Sequence, residues 1–152
     1  MVEITIRKMC KDDLPAVSEL SLLANPHATK EEYSKLLERE LEANPDLSFV
    51  ATYNGSIIGY AQAEARKSKQ AILQDIAVSK EFQGKKVGTR LLNKTIEAVE
   101  AKGARMMFAE AHYKCATAIP FYYKHGFRIS GFSQDHFGIG HDAIILKREL
   151  DQ

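Results

Sequence analysis

The sequence predicts an α/β fold, a mixed sheet with helices on both faces. Seven short strand-like runs are spread along the 152 residues, and amphipathic helical runs separate only some of them. A hairpin signal, Asn54-Gly55, joins two that no helix separates. Strict strand–helix alternation would give a parallel sheet, and the hairpin makes it mixed. The whole chain, 1–152, fits one domain of ordinary size. A chain of this length buries roughly two thirds of its unfolded surface and needs no disulfide or metal staple.

Ile4 to Arg7 alternates apolar and polar residues, as a half-buried strand does. Asp12 and Asp13 precede Leu14, Val17, Leu20 and Leu23, helical spacing behind an acidic start, and Pro15 suits a first turn. Thr29 to Glu32 forms a capping box, opening a helix with Tyr33, Leu36, Leu37 and Leu41 on one face. Asn44-Pro45-Asp46 ends it. Leu47–Tyr53 and Ser56–Ala63 are the hairpin strands, followed by a strand over Ile72–Val78. The loop Gln83–Gly88 leads into a helix over Thr89–Lys102 with the stripe Leu91, Leu92, Ile96 and Val99, closed by Gly103. Met106–Ala111 reads as a strand and Ala116–Lys124 as a short helix stopped by Gly126. Phe127–Ser133 and Ala143–Lys147 are the last strands.

Apolar residues make up 45% and charged residues 27%, near the globular averages of about 45–50% and about 25%. The formal net charge of +1 argues against a general nucleic-acid binder, which carries a basic bias. Cys10 and Cys115 form no CxxC or metal-ligand spacing, so reduced thiols are expected. Met1 to Lys11 has neither a long apolar core nor a cleavage signature. No run approaches the ~18 apolar residues of a membrane span, and the expected location is the cytoplasm.

The strand–loop–helix stretch from Leu73 to Leu92 carries the chemistry. Helix N-termini present free N–H groups and partial positive charge, and so hold anions. Gly84 and Gly88 permit close backbone approach. Residues 79–94 hold five basic side chains, Lys80, Lys85, Lys86, Arg90 and Lys94, against Glu81 alone. A pyrophosphate suits that loop; a plain glycine turn before a basic surface helix has the same pattern. No Walker A loop fits there.

The stretch resembles the acetyl-CoA motif of GNAT N-acetyltransferases, Q/R-x-x-G-x-G/A. Gln83 and Gly88 match, Gly84 matches a common start of the loop, and Lys86 stands where the family has its middle glycine. A second block, Ala118 to Phe127, resembles the family's A-x-x-F-Y-x-K-x-G-F, with Pro120 inside a helix where only the first turn tolerates it. Three residues before Ala118, where the family often has Asn, stands Cys115. Ile6-Arg7, Asp12 to Leu14 and Asn54 to Gly59 also look like the family, so the resemblance covers nearly the whole chain.

The resemblance implies a mixed, mostly antiparallel sheet of six to seven strands with helices on both faces. It implies acetyl-CoA as acetyl donor, with no metal. Ile76, Ala77 and Val78 would pair with the pantetheine arm, Gln83, Gly84, Lys85, Lys86, Val87, Gly88 and Thr89 would hold the pyrophosphate, and Cys115 would stand at the Asn contact. Tyr122 would be the acid that protonates the leaving sulfur. Glu110 would be the base, with Glu64 and His112 as alternatives. His112 otherwise reads as a strand-end surface residue, and His136 and His141 belong to a loop bordering the acceptor site. The acceptor would be a small-molecule or peptide amine, with a homodimer compatible with the family. Residues 21–46 carry a net negative charge, which suggests a cationic acceptor. The rival reading is a catalytically silent acyl-CoA sensor on the same fold; a nucleotide-binding regulatory domain is a remoter one.

Overall fold

A computed structural model describes residues 3–25, 27–115 and 117–150. Ala116, expected to begin the short helix, lies outside them. The sheet contains β1 (Ile4–Lys8), β2 (Ser48–Tyr53), β3 (Ser56–Arg66), β4 (Gln70–Val78), β5 (Met106–His112), β6 (Arg128–Ser133) and β7 (Ala143–Glu149). Its spatial order is β1-β2-β3-β4-β5-β7-β6. Every neighbouring pair is antiparallel except β4 and β5. The helices are α1 (Leu14–Ala24), α2 (Lys30–Ala43), α3 (Val87–Ala101) and α4 (Ala118–Lys124). Among the described residues no helix is long and apolar enough to cross a membrane.

Local signals place most elements. Asn54 and Gly55 both take positive φ, 49° and 77°, as the tight hairpin turn requires. Thr29 caps α2 by accepting from the Glu32 N–H at 3.2 Å. Asp13 does more than charge a helix start. Its oxygens each accept from the Arg7 guanidinium at 2.8 Å, and the Cys10 N–H adds a third bond. That bidentate pair, which holds the Asp13 carboxyl below its usual range, ties β1 to α1.

The two sheet faces bury different helices. On one, Leu91, Leu92, Ile96 and Val99 of α3 pack with Ala61, Leu73 and Met107. On the other, Val17 of α1 and Leu37 and Leu41 of α2 pack with Val50, Tyr60 and Ala77.

Two irregularities in β4 create the site. Gln62 pairs with Asp75 but Ala63 pairs with Leu73, so Gln74 is an extra residue, a β-bulge. Unbroken alternation from Leu73 would turn Asp75 toward α3; the bulge turns it toward α1 and α2, beside Tyr60. Secondly, β4 pairs with β5 only where Gln70–Leu73 meets Met106–Ala109. Beyond that point β5 remains paired with β7 through His112, and the edge of β4 from Gln74 to Val78 is left open.

Candidate active site

A cleft of about 430 Å³ occupies this splay and runs from the N-terminus of α3 to the end of α1. At the α3 end the Ser79 N–H bonds back to Ile58 at 2.8 Å, so by strand alternation Val78 faces the open side. Its carbonyl accepts from Gln83 Nε2 at 3.0 Å, which fixes the loop to the strand. Lys86, in the place of a family glycine, adopts the left-handed conformation that glycine favours, φ 66° and ψ 17°, as the N-cap of α3. Arg90 is the first residue of the helix whose N–H bonds back, to Lys86 at 3.1 Å. The N–H groups of Val87, Gly88 and Thr89 therefore lead the helix without intrahelical partners, a site for an anion.

Gly88 is where this cradle is tightest. A Cβ there would sit 3.3 Å from the Phe121 ring and 3.7 Å from the Val78 side chain. Gln83, Gly84, Lys86, Val87 and Thr89 line the same end with it; Lys85 does not, and its ammonium lies over the Phe82 ring instead.

Midway, Tyr122 of α4 is only 5% exposed and lines the cleft. Pro120 lies in the first turn of that helix, where its missing N–H does no harm. The Tyr122 hydroxyl has no hydrogen-bond partner among the described residues. Burial, with Asp75 nearby, pushes the phenol above its ordinary range and keeps it protonated. Cys115 donates to the Ala24 carbonyl at 3.4 Å, and burial raises its thiol, which makes it a neutral wall of the cleft.

The far end assembles residues that sequence spacing left scattered. Glu110 of β5 lies 2.9 Å from His136 Nε2. His112 is 3% exposed, buried rather than at the surface as expected. The Lys114 N–H donates to its Nδ1 at 3.1 Å, so in the neutral ring Nε2 carries the proton and donates to His141 Nδ1 at 3.0 Å. Burial, then the His141 charge, lowers the His112 pKa and favours that neutral form. His27 stacks on Phe137 at 4.7 Å and on His112 at 5.2 Å, joining the α1–α2 loop to the ends of β5 and of the β6–β7 connection.

Two expectations fail here. Glu64 is outside the cleft wall and is held by Gln74 and Arg66. Among the described residues of 21–46, Leu23, Ala24 and Asn25 reach the cleft and none of the acidic side chains of α2 does. Among the cleft residues that were not anticipated is Asp75, buried under Tyr60 and Asn25. Its signal was a single acid within the run Ala71 to Val78, where Gln74 is the only other polar residue.

Comparison with known proteins bears on the whole arrangement. The model of the acetyltransferase (GNAT) family matches residues 14–127. An uncharacterized N-acetyltransferase of Methanocaldococcus jannaschii is 30% identical over 135 residues, which are 81% of this chain and 60% of that protein. The chain spans between 37% and 60% of the length of three curated relatives it matches. Among solved structures, Ard1 from Thermoplasma volcanium superposes with a TM-score of 0.87 at 21% identity, over 98% of this chain and 99% of that one. A GNAT family acetyltransferase from Elizabethkingia anophelis with acetyl-CoA bound gives 0.78 at 26% identity, over 97% and 98%. Among the described residues the matched stretch carries the whole cleft wall except Phe137, and the chain belongs to the GNAT family of acetyltransferases.

Proposed function

We propose that the protein is an acetyl-CoA-dependent N-acetyltransferase in which an amine, of a small molecule or a peptide, attacks the acetyl group directly. The observation that carries this reading is the open edge of β4 running into the bare N-terminus of α3. The edge from Gln74 to Val78 offers backbone groups to an amide-bearing arm, which would pair as an added strand does. The amides of Val87, Gly88 and Thr89 would receive a pyrophosphate. Acetyl-CoA supplies the acetyl group as an activated thioester.

This chain's residues do the rest. By strand alternation the Val78 amide faces the open side, and it is the donor offered to the thioester carbonyl oxygen. One preorganised donor of that kind is worth about 2.7–4 kcal/mol. Tyr122, protonated and without a partner, gives its proton to the departing sulfur. An alkylammonium acceptor, with a pKa of about 10.4, must lose a proton before it attacks, and Glu110 takes it. His112 is poorly suited to that task, because both of its ring nitrogens are engaged.

The test is release of CoA thiol across a panel of amines, with products identified by mass. Thiol release matched by a mono-acetylated amine supports the reading. A silent acyl-CoA sensor would bind acetyl-CoA and release no thiol with any amine.

A further inference from the structure

Asp75 is a buried carboxylate that forms no ion pair among the described residues. It is 8% exposed yet lines the cleft at the α1 end. The Tyr60 hydroxyl donates to its Oδ2, and Asn25 Nδ2 donates to the same oxygen at 2.9 Å. Neither of these donors uses Oδ1. The nearby Ile76 backbone N–H also favours its charged form. Among the described residues no lysine, arginine or histidine pairs with it.

Among the described residues the groups around it are neutral or acidic. Tyr60 faces it from β3 and Asn25 from the end of α1. The charges of Asp75 and of Glu110 on β5 both act on Tyr33 of α2. Cys115 and Tyr122 approach it from beyond β5. A carboxylate buried without a cation is held at a cost, and burial raises this one to about 7. The hydrogen bonds oppose that shift and favour the ionised form. Two side-chain hydrogen bonds therefore orient a charge that no cation among the described residues neutralises.

Resting on the N-acetyl transfer reading, we propose that Asp75 binds the ammonium group of the acceptor, so that the substrate class is primary alkylamines presented as cations. The bulge at Gln74 is what aims the carboxylate away from α3, at the end of the cleft opposite the anion site. The stacked pair His27 and Phe137 bounds this end, with Phe137 in the cleft wall, and favours compact amines over threaded polypeptides. Asp75 is then a binding residue, and Glu110 and Tyr122 remain the proton-transfer groups.

The test uses propylamine, phenethylamine and putrescine as ammonium probes and aniline as a flat amine that is neutral near pH 8. Binding is measured by calorimetry on protein saturated with CoA thiol, which has no acetyl group to transfer. Wild type should bind the ammonium probes better than aniline. Asp75→Asn, which keeps the shape, should weaken the ammonium probes about ten- to hundredfold and leave aniline and CoA within about twofold. In wild type the ammonium affinity should fall as pH drops through about 7, and this dependence should vanish in the variant. Tyr60→Phe, which removes one donor to Oδ2, should move that midpoint upward, and it serves if Asp75→Asn does not fold. Ammonium binding that is absent in wild type, unchanged in Asp75→Asn, or unmoved in Tyr60→Phe overturns the proposal. Asp75-dependent binding with no thiol release in the separate turnover assay would instead sink the transfer reading.

Discussion

The two ends of the cleft are built on opposite principles. At the α3 end the groups are backbone, consecutive and preset by turn geometry: Val78, the loop from Gln83, and the amides of Val87 to Thr89. At the α1 end they are side chains from separate elements: Asn25, Asp75, Glu110, His112 and Phe137. A backbone site is specified by glycines, a helix start and spacing, and tolerates change in side-chain identity, as Lys86 shows by taking up a glycine's conformation. A side-chain site is specified by identities and by which face each strand presents. The first suits a cofactor common to many proteins, and the second suits an acceptor particular to one.

The largest expected effects belong to the proton-transfer groups, Tyr122 midway along the cleft and Glu110 at its α1 end. Tyr122→Phe should lower kcat by about 10²–10⁴ while acetyl-CoA affinity stays nearly intact, because the ring keeps its packing. Glu110→Gln should cut the rate most at low pH, where neutral amine is scarcest, and the defect should shrink as pH rises. Steady-state kinetics against pH for both variants checks this. A pH-independent loss in Glu110→Gln would remove its role as base.

Next comes a stability effect confined to the acceptor end. Asp75 has a folded pKa of about 7 against an ordinary 3.8. Between those values the unfolded chain binds fewer protons than the native one, so stability falls as pH rises. Asp75→Asn should therefore be more stable than wild type at pH 8, by on the order of 2–4 kcal/mol. The advantage should fade toward pH 4, and thermal or urea unfolding at both values measures it. An advantage that does not change with pH would mean that Asp75 is not a buried charge.

The donor end should respond to backbone geometry. Gly88→Val should weaken acetyl-CoA binding by about tenfold or more, measured by calorimetry. The new side chain would also crowd Phe121; if crowding alone were responsible, adding Phe121→Ala would restore affinity. The smallest effect is Lys86→Gly. Removing a side chain from a left-handed residue relieves about 1–2 kcal/mol of local strain and loosens the unfolded chain somewhat. A net gain of about 0.5–1 kcal/mol in unfolding free energy is expected, with acetyl-CoA affinity changed by less than about tenfold. Lost stability in Lys86→Gly would mean that the lysine side chain, rather than the turn, holds that loop.

The same contrast explains what could be read from the sequence. The geometry of the α3 end was legible because residues 76–89 are contiguous, and the strand, loop and helix fall where hydrophobic spacing puts them. The hairpin at Asn54-Gly55 and the Thr29 cap are equally local and equally legible. The acceptor end was not, since no spacing connects Asn25, Asp75, Glu110 and Phe137. Asp75 was hidden further by the bulge: strict alternation from Leu73 assigns it to the α3 face, and one extra residue reverses that. His112 looked like a strand end exposed to water because the loops that cover it, carrying His27 and Phe137, are far away in sequence. Charge summed over 21–46 pointed to a cationic acceptor through acidic side chains of α2 that do not line the cleft; Asp75 supports the same class from β4.

The central claim is that the open edge of β4 and the N-terminus of α3 together hold acetyl-CoA. Amide hydrogen exchange with and without saturating acetyl-CoA tests it most directly. The Val78 amide and those of Val87, Gly88 and Thr89 should become strongly protected, while amides of β6 at the far edge of the sheet should not change. Unchanged exchange at these four amides, or protection appearing elsewhere in their place, would contradict the account.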